Sequence, residues 1–192
     1  MLERLTKQTN FLGYLRALKE CLPRYLVFIA VSDTGAAQYF TAEHAAAMAE
    51  LGLKVNMTNR YRQPYIAIID KGQVAKEIVS AKLDEPLTVS CKLGEHDVLV
   101  YSAGFGYQKG ICMGAMVMID GADYMRGGRG FNFLIFDVDN DEIVDNRSFD
   151  MFSGGRCNNQ MSGISLPLTS FVKNWGGGGG TIMYSGFTSI SA

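Results

Sequence analysis

The chain has 192 residues, of which 47% are hydrophobic and 19% are charged, so it can bury a real core and is not a disordered polypeptide. Its formal net charge of −1 weighs against a bulk electrostatic nucleic-acid binder, which would normally be basic. No run of about eighteen uninterrupted apolar residues occurs, so no membrane span is expected. The first ten residues lack the apolar core of a secretory signal peptide, which predicts cytoplasmic synthesis.

The first 82 residues combine helical and strand patterns. Apolar spacing predicts a helix over about 11–21, with Asn10 as its N-cap and Pro23 at its end. An alanine-rich helix is predicted over 42–51 between Thr41 and the C-capping Gly52. Continuous apolar runs predict strands buried on both faces over 25–31 and 65–69, and another strand follows at 74–79.

A possible boundary lies at 84–86, and the segment beyond it has the pattern of an antiparallel sheet without a convincing helix. Short glycine or aspartate turns separate four predicted strands, at 97–102, 115–119, 131–138 and 142–149. We therefore expect one domain over 1–155, in which the halves 1–82 and 86–155 share a core, because two-sided apolar strands cannot be covered by either half alone.

The C-terminal segment 156–192 is predicted to be a glycine-rich extension, with five consecutive glycines at 176–180. Isolated polyglycine is flexible and costly to order. The residues after it include Ile182, Met183, Tyr184, Phe187 and Ile190, and a segment so apolar usually docks. Its docking surface is either the same domain or another chain, which would make 176–192 a site of self-association or of contact with other structural subunits.

Three glycine- or aspartate-rich segments are better explained by sheet turns than by ligand binding. The acidic run 137–141 begins like a calcium loop, but Glu142 stands where the loop needs Gly and Ser148 where it needs the bidentate Glu. We therefore predict a hairpin turn and no tight calcium site. The glycines of 104–106 and 127–130 lack the following Lys, Ser or Thr and helix of a phosphate loop.

Residues for catalysis or metal binding are sparse. The four cysteines form no C-x-x-C pair, and only His44 and His96 could join them, so no metal site is predicted. The nucleophile motif G-x-S-x-G is absent, and both histidines are expected at the surface. We expect neither an enzyme nor a cofactor. A Cys91–Cys112 disulfide stays open, because sequence does not show whether their strands are neighbours.

The segment 60–65 combines Arg60, Tyr61, Arg62 and Tyr65 just before a buried strand. Flat aromatics and guanidinium donors suit a sugar surface, on which rings stack and hydroxyls form hydrogen bonds. An ordinary loop with long side chains lying along its surface has the same composition. On composition alone the ordinary loop is the favoured interpretation.

An ordered series of motifs resembles the interleukin-like EMT inducer domain, or GG domain, of the pancreatic-derived-factor cytokine family. In the second half of the chain the matching segments are 101–105, 118–121, 129–137 and 147–150, of which the Arg-Gly-x-Asn strand with Phe-Asp is fairly specific. In the first half they are 11–18, 27–33, 45–52 and 61–72. The resemblance covers about 11–152, but the family has the two halves in the opposite order, so it implies a circularly permuted domain or halves contributed by different chains.

This resemblance implies an α+β fold, a mixed β-sandwich or sheet core with two or three flanking helices. It also implies a non-catalytic carbohydrate-binding or adhesion module, whose partner is a glycan or a cell-surface receptor. Carried over by motif, Asp33 would accept sugar hydroxyls, Arg62 would donate to them and Tyr65 would stack on the ring, with Tyr61 beside them. Substitution of Arg62 or Tyr65 by Ala should then leave the melting temperature nearly unchanged.

A second hypothesis is a structural assembly protein, such as a phage virion or tail component. Such a protein would use the domain as a scaffold and the glycine-rich tail for subunit contacts. The apolar residues after the polyglycine run favour this hypothesis, while the Arg–Tyr segment favours a glycan-binding module. The two are compatible if the virion component binds a receptor.

Overall fold

The computed structural model describes residues 1–104, 114–125, 127–160 and 166–167. Within them the fold is mixed α+β, with three helices packed on a curled sheet. The helices are α1 (Leu2–Thr6), α2 (Phe11–Cys21) and α3 (Ala42–Glu50). The strands are β1 (Leu26–Asp33), β2 (Tyr65–Asp70), β3 (Gln73–Val79), β4 (Leu87–Leu93), β5 (His96–Gly104), β6 (Gly114–Ile119), β7 (Ala122–Asp123), β8 (Gly130–Asp137), β9 (Glu142–Asp150), β10 (Arg156–Gln160) and β11 (Leu166–Pro167).

Both longer helices begin and end where the sequence predicts. The Oδ1 atom of Asn10 accepts a hydrogen bond from Gly13 N at 2.8 Å, which caps the first turn of α2. Gly52 has a φ of +90°, the left-handed conformation expected just after α3. We did not predict the short helix α1 or the strands β4, β7, β10 and β11 from the sequence.

Strand β1 is the centre of the sheet. It pairs antiparallel with β8 along Leu26–Ser32 and with β2 along Leu26–Ala30. Its last two residues turn to β5 and pair with it in parallel, Ser32 with Ala103 and Asp33 with Gly104. The predicted strands from the two halves of the chain therefore share one sheet.

The two faces of this central sheet lie in two different cores. One face, which includes Val27, Ile29 and Val31 of β1, packs against the helices. The alternate residues Phe28 and Ala30 pack against a second layer built by β4, β5, β6 and β7. Burial on both faces explains why the strands appear as continuous apolar runs rather than as alternating patterns.

Candidate ligand-binding site

The ends of four strands meet at one edge of the sheet. Strands β1, β5 and β9 end at this edge, and β8 begins there. The backbone pairs that bring these ends together are Ser32 with Gly130, Asp33 with Gly104, and Phe131 with Phe149. Side chains from these ends and from the loop before β2 form the candidate site. Its first group consists of Asp33, Tyr61 and Arg62, and its second of Arg129, Asp150, Phe152 and Ser153.

Asp33 and Arg62 are held in unusual backbone conformations. Their φ angles are +60° and +58°, a region that side-chain-bearing residues rarely adopt and that is concentrated at functional sites. The backbone N–H of Arg62 donates to Thr34 Oγ1 at 3.1 Å, which ties the loop before β2 to the end of β1. The two side chains consequently face each other.

The Asp33 carboxylate is only loosely satisfied. Its Oδ1 atom lies 3.8 Å from Arg62 Nε, within ion-pair range but beyond a hydrogen bond, and accepts no hydrogen bond within the described residues. Burial raises the pKa of Asp33 above its ordinary value, against the opposing charges of Arg62 and Arg129. The Oδ1 atom is itself buried and the Asp33 side chain is 19% exposed, so a ligand hydroxyl would reach only the exposed part of this carboxylate.

Tyr61 provides an exposed aromatic ring next to this carboxylate. It is 45% exposed, and the guanidinium carbon of Arg62 lies 4.9 Å from its ring centroid. A cation over the ring fixes the ring without covering both of its faces. The structure thus brings together three of the four predicted site residues, Asp33, Tyr61 and Arg62.

The fourth predicted residue, Tyr65, lies in the core beneath the helices and is fully buried. Its hydroxyl donates to Glu77 Oε1 at 2.8 Å, and burial raises its pKa well above the ordinary value. Because both faces of β2 are buried, every side chain of its apolar run points into protein. A sugar ring cannot stack on this side chain, so the predicted stacking role of Tyr65 is wrong.

The second group is an arginine–carboxylate pair that we did not predict as part of the site. Arg129 donates through Nε and Nη2 to Asp150 Oδ1 and Oδ2, at 3.0 and 2.6 Å. Its guanidinium carbon lies 4.7 Å from the ring centroid of Phe152, which is 46% exposed. Arg129 and Asp150 belong to the motifs that carry the family resemblance, but the exposure of Phe152 has no signal in the sequence.

The pKa values at the second group follow from this pairing. Burial pushes the pKa of Asp150 upward, but hydrogen bonds from Arg129, Ser153 and the Phe152 backbone outweigh it and hold that pKa below the ordinary value. The bonds to Asp150 raise the pKa of Arg129, and the charge of Asp33 adds to that increase. Asp33 and Arg129 thus lie close enough for their charges to influence each other.

Two glycines allow the backbone approaches that form this edge. A Cβ atom on Gly104 would lie 2.0 Å from the carbonyl oxygen of Arg62, and one on Gly130 would lie 2.0 Å from that of Phe149. Gly130 also has a φ of +100°. Close approach and turn geometry account for these glycines without a phosphate ligand.

The acidic turn between β8 and β9 has internal partners for its carboxylates. Asp137 Oδ1 accepts from the backbone N–H groups of Asp139 and Asn140, at 3.1 and 3.3 Å. Asp139 lies 3.5 Å from Lys71 Nζ in an ion pair. Such a turn closes a hairpin as predicted, and the absence of a tight calcium site stays a prediction.

The two histidines are not simple surface residues, which corrects that expectation. His44 stacks on the buried Phe11, with ring centroids 5.5 Å apart, and its Nδ1 accepts from the Thr41 backbone at 3.1 Å. Burial lowers the pKa of His44, which favours the neutral ring. His96 bridges two aspartates at the opposite end of the sheet.

No protein-family model, no curated protein and no solved structure matches this chain. No helix within the described ranges is long and apolar enough to cross a membrane. In the same ranges no three His, Cys, Asp or Glu side chains cluster as metal ligands. The predicted apolar tail at 176–192 and Cys112 lie outside the described residues.

Proposed function

We propose that this chain is a non-catalytic carbohydrate-binding or adhesion module, and that the surface at the end of β1 binds the glycan. The observation that carries the proposal is the pairing of exposed aromatic rings with arginines around Asp33. Tyr61 lies under Arg62 and Phe152 lies under Arg129. Both rings are nearly half exposed, although most large apolar side chains in the described part of the chain are buried.

The chemistry of these groups suits a sugar. A pyranose presents an apolar face, which stacks on an aromatic ring, and a rim of hydroxyls, which both donate and accept. Asp33 supplies an acceptor and Arg62 and Arg129 supply donors. Asp150 and Ser153 hold the Arg129 guanidinium in place. Contacts of this kind are shallow and wet, so we expect weak affinity per site and a large contribution from avidity.

The site residues are held for binding rather than for proton transfer. Asp150 is fixed as a carboxylate by its two bonds from Arg129 and accepts a third from Ser153 Oγ at 2.9 Å. A general acid needs instead a carboxyl group whose proton is available near working pH. We therefore assign Asp150 a role in holding Arg129 for recognition.

We further propose that the fold is a permuted interleukin-like EMT inducer domain. The segments that carry its motifs in the two halves of the chain are neighbours in the sheet, since β1 pairs with both β2 and β8. Asp33 and Arg62, which the family motif implicates in sugar binding, face each other at 3.8 Å. These contacts support the proposal without depending on the order of the halves.

Glycan binding is tested on a broad array with the native chain and the variants Tyr61→Ala, Arg62→Ala and Phe152→Ala. Loss of a stacking ring should weaken binding about tenfold, which corresponds to about 1.4 kcal/mol. Melting temperatures should change little for Tyr61→Ala and Phe152→Ala, because these rings are nearly half exposed and support little core. Arg62→Ala should cost somewhat more, since that side chain is only one-third exposed.

Arg24→Ala is the matched control. Arg24 also lies over a tyrosine, 5.3 Å from the ring centroid of Tyr25, and also pairs with an aspartate, Asp137. It precedes β1, at the end of the strand opposite Asp33. This variant should bind as the native chain does. A native chain that binds nothing on the array, or site variants that bind as well as Arg24→Ala, would refute the proposal.

The assembly hypothesis depends on the apolar segment within 176–192, which lies outside the described residues. The hypothesis therefore stays a prediction. If it is right, truncation after Asn174 should change the mass in solution, because the truncated chain lacks the apolar segment Ile182–Ile190 that would dock on another subunit. An unchanged mass would remove the reason to prefer assembly over glycan binding.

A further inference from the structure

A histidine joins three turns at the end of the sheet opposite the candidate site. His96 opens β5, directly after the turn from β4. Its Nδ1 lies 2.6 Å from Oδ2 of Asp120, in the turn between β6 and β7. Its Nε2 lies 3.1 Å from Oδ1 of Asp141, in the turn between β8 and β9.

This geometry requires a charged ring. A carboxylate can only accept hydrogen bonds, and a neutral imidazole has one N–H to donate. Both ring nitrogens of His96 face carboxylate oxygens at hydrogen-bond distance, so both contacts are hydrogen bonds only when the ring is an imidazolium. Loss of the proton leaves one aspartate facing a nitrogen lone pair.

The groups around the bridge fix it in place and set its charge. Asp120 also accepts from the backbone N–H of Asp97 at 2.9 Å, and Asp97 pairs with Lys92 Nζ at 2.8 Å. Glu95 and Tyr124 are the further titratable groups near this cluster. The charges that act on His96 are thus those of the two aspartates, while the charge of Lys92 acts on Asp120.

The bridge crosses between the two layers of strands. Asp120 belongs to the layer of β4 to β7, whereas Asp141 belongs to the β8–β9 hairpin of the central sheet. Between them the layers meet through apolar side chains such as Val98, Ile119 and Phe136. We propose that protonated His96 is a pH-sensitive clasp, which ties the β4–β7 layer to the β8–β9 hairpin and opens when the ring is neutral.

The pKa shifts give the sign of this switch. The hydrogen bond to Asp120 raises the pKa of His96 above 6.5, although burial opposes it. The stability that the clasp adds to the folded protein is therefore fully present below the pKa that histidine has in the unfolded chain. It is lost as the pH rises through the pKa of His96 in the folded protein. The same hydrogen bond lowers the pKa of Asp120, so the clasp also weakens when pH falls through that lower value.

Titration of the two histidines by NMR tests the clasp directly. The ring protons of His96 should titrate with a midpoint above 6.5, while those of His44 titrate below it and act as an internal reference. Asp120→Asn and Asp141→Asn should each lower the His96 midpoint and leave that of His44 unchanged. Asparagine tolerates the φ angles of +50° and +54° at these two positions, so the turns are kept.

Stability provides a second readout that a merely structural histidine would not give. His96→Gln should reduce the melting temperature more at pH 5.5 than at pH 8.5, because only the charged ring makes both bonds. Asp120→Asn should show the same dependence. A His96 midpoint at or below 6.5, or an equal loss of melting temperature at both pH values, would overturn the proposal. Neither result depends on whether the chain binds a glycan.

Discussion

Arg147 and Asp145 form an ion pair in which both side chains are fully buried, two residues apart on the same face of β9. The Arg147 Nε and Nη2 atoms donate to Asp145 Oδ1 at 3.1 and 2.8 Å. Asp145 Oδ2 accepts from the Tyr14 hydroxyl at 2.7 Å. Arg147 also donates to the backbone carbonyls of Gln8 and Thr6, so the pair fixes the connection between α1 and α2 on the sheet.

Arg147→Met should therefore destabilise the fold strongly. It leaves the Asp145 carboxylate buried without its counter-charge, which typically costs about 3–5 kcal/mol. Urea unfolding measures the loss as a lower midpoint with an unchanged slope. Arg4→Ala is the control, since the Arg4–Glu20 pair is exposed and its loss should cost less than about 1 kcal/mol. Equal small losses for both variants would contradict this account of the buried pair.

Tyr65 should behave as a core residue rather than as a binding residue. Tyr65→Ala should cost about 3–5 kcal/mol, because it leaves a cavity where a fully buried ring packs. Tyr65→Phe keeps the ring and should cost about 1 kcal/mol through the lost bond to Glu77. Thermal and urea unfolding compare both with Tyr61→Ala, whose exposed ring predicts a change within about 0.5 kcal/mol. A small effect of Tyr65→Ala would restore the sequence-based expectation.

The two halves of the chain should not fold apart. β1 belongs to the segment 1–82 and β8 to 86–155, yet they pair over seven residues from Leu26 to Ser32. Expressed separately, the two segments should be unfolded or aggregated, because each would expose the face and edge that the other covers. Circular dichroism and solution mass report the outcome. Two monomeric fragments with cooperative unfolding transitions would contradict it.

Local signals in the sequence account for much of the fold. The caps at Asn10 and Gly52 and the strands around Val27 and Ile66 follow from single residues and short apolar runs. Strand β4 has the alternation of a half-buried strand, because every second residue from Leu87 to Leu93 is apolar, so the sequence carried a signal for this strand that we did not use. A continuous apolar run also does not show which side chains face which core, which is why Tyr65 was assigned to a surface that it does not reach.

The site was only partly accessible to sequence for a related reason. The carboxylate of Asp33 ends β1, and Tyr61 and Arg62 lie in the loop just before β2. Their proximity follows from the pairing of β1 with β2. The group around Arg129 reaches them only because β8 and β9 are the next strands along the sheet. Contacts between residues about 90 positions apart depend on strand order, which the spacing of apolar residues does not encode.

The last prediction concerns Gly104, where β5 ends against the loop that carries Arg62. Any side chain there would place Cβ 2.0 Å from the Arg62 carbonyl oxygen, so Gly104→Ala must move that backbone. Arg62 would then lose the hydrogen bond from its N–H to Thr34 and its position opposite Asp33. We expect a lower melting temperature and, if the surface binds glycans, a loss of binding at least as large as that of Arg62→Ala.

Gly114→Ala is the matched control, since Gly114 also lies at an end of a strand in the same layer but no atom of the described residues lies within 4 Å of the added Cβ. Gly114→Ala should change neither the melting temperature nor glycan binding. The added methyl group contacts no described atom, and the backbone φ at this position is one that alanine adopts. A Gly104→Ala variant that melts and binds like Gly114→Ala would show that the loop tolerates displacement. The close approach of β5 would then not be what holds Arg62 against Asp33.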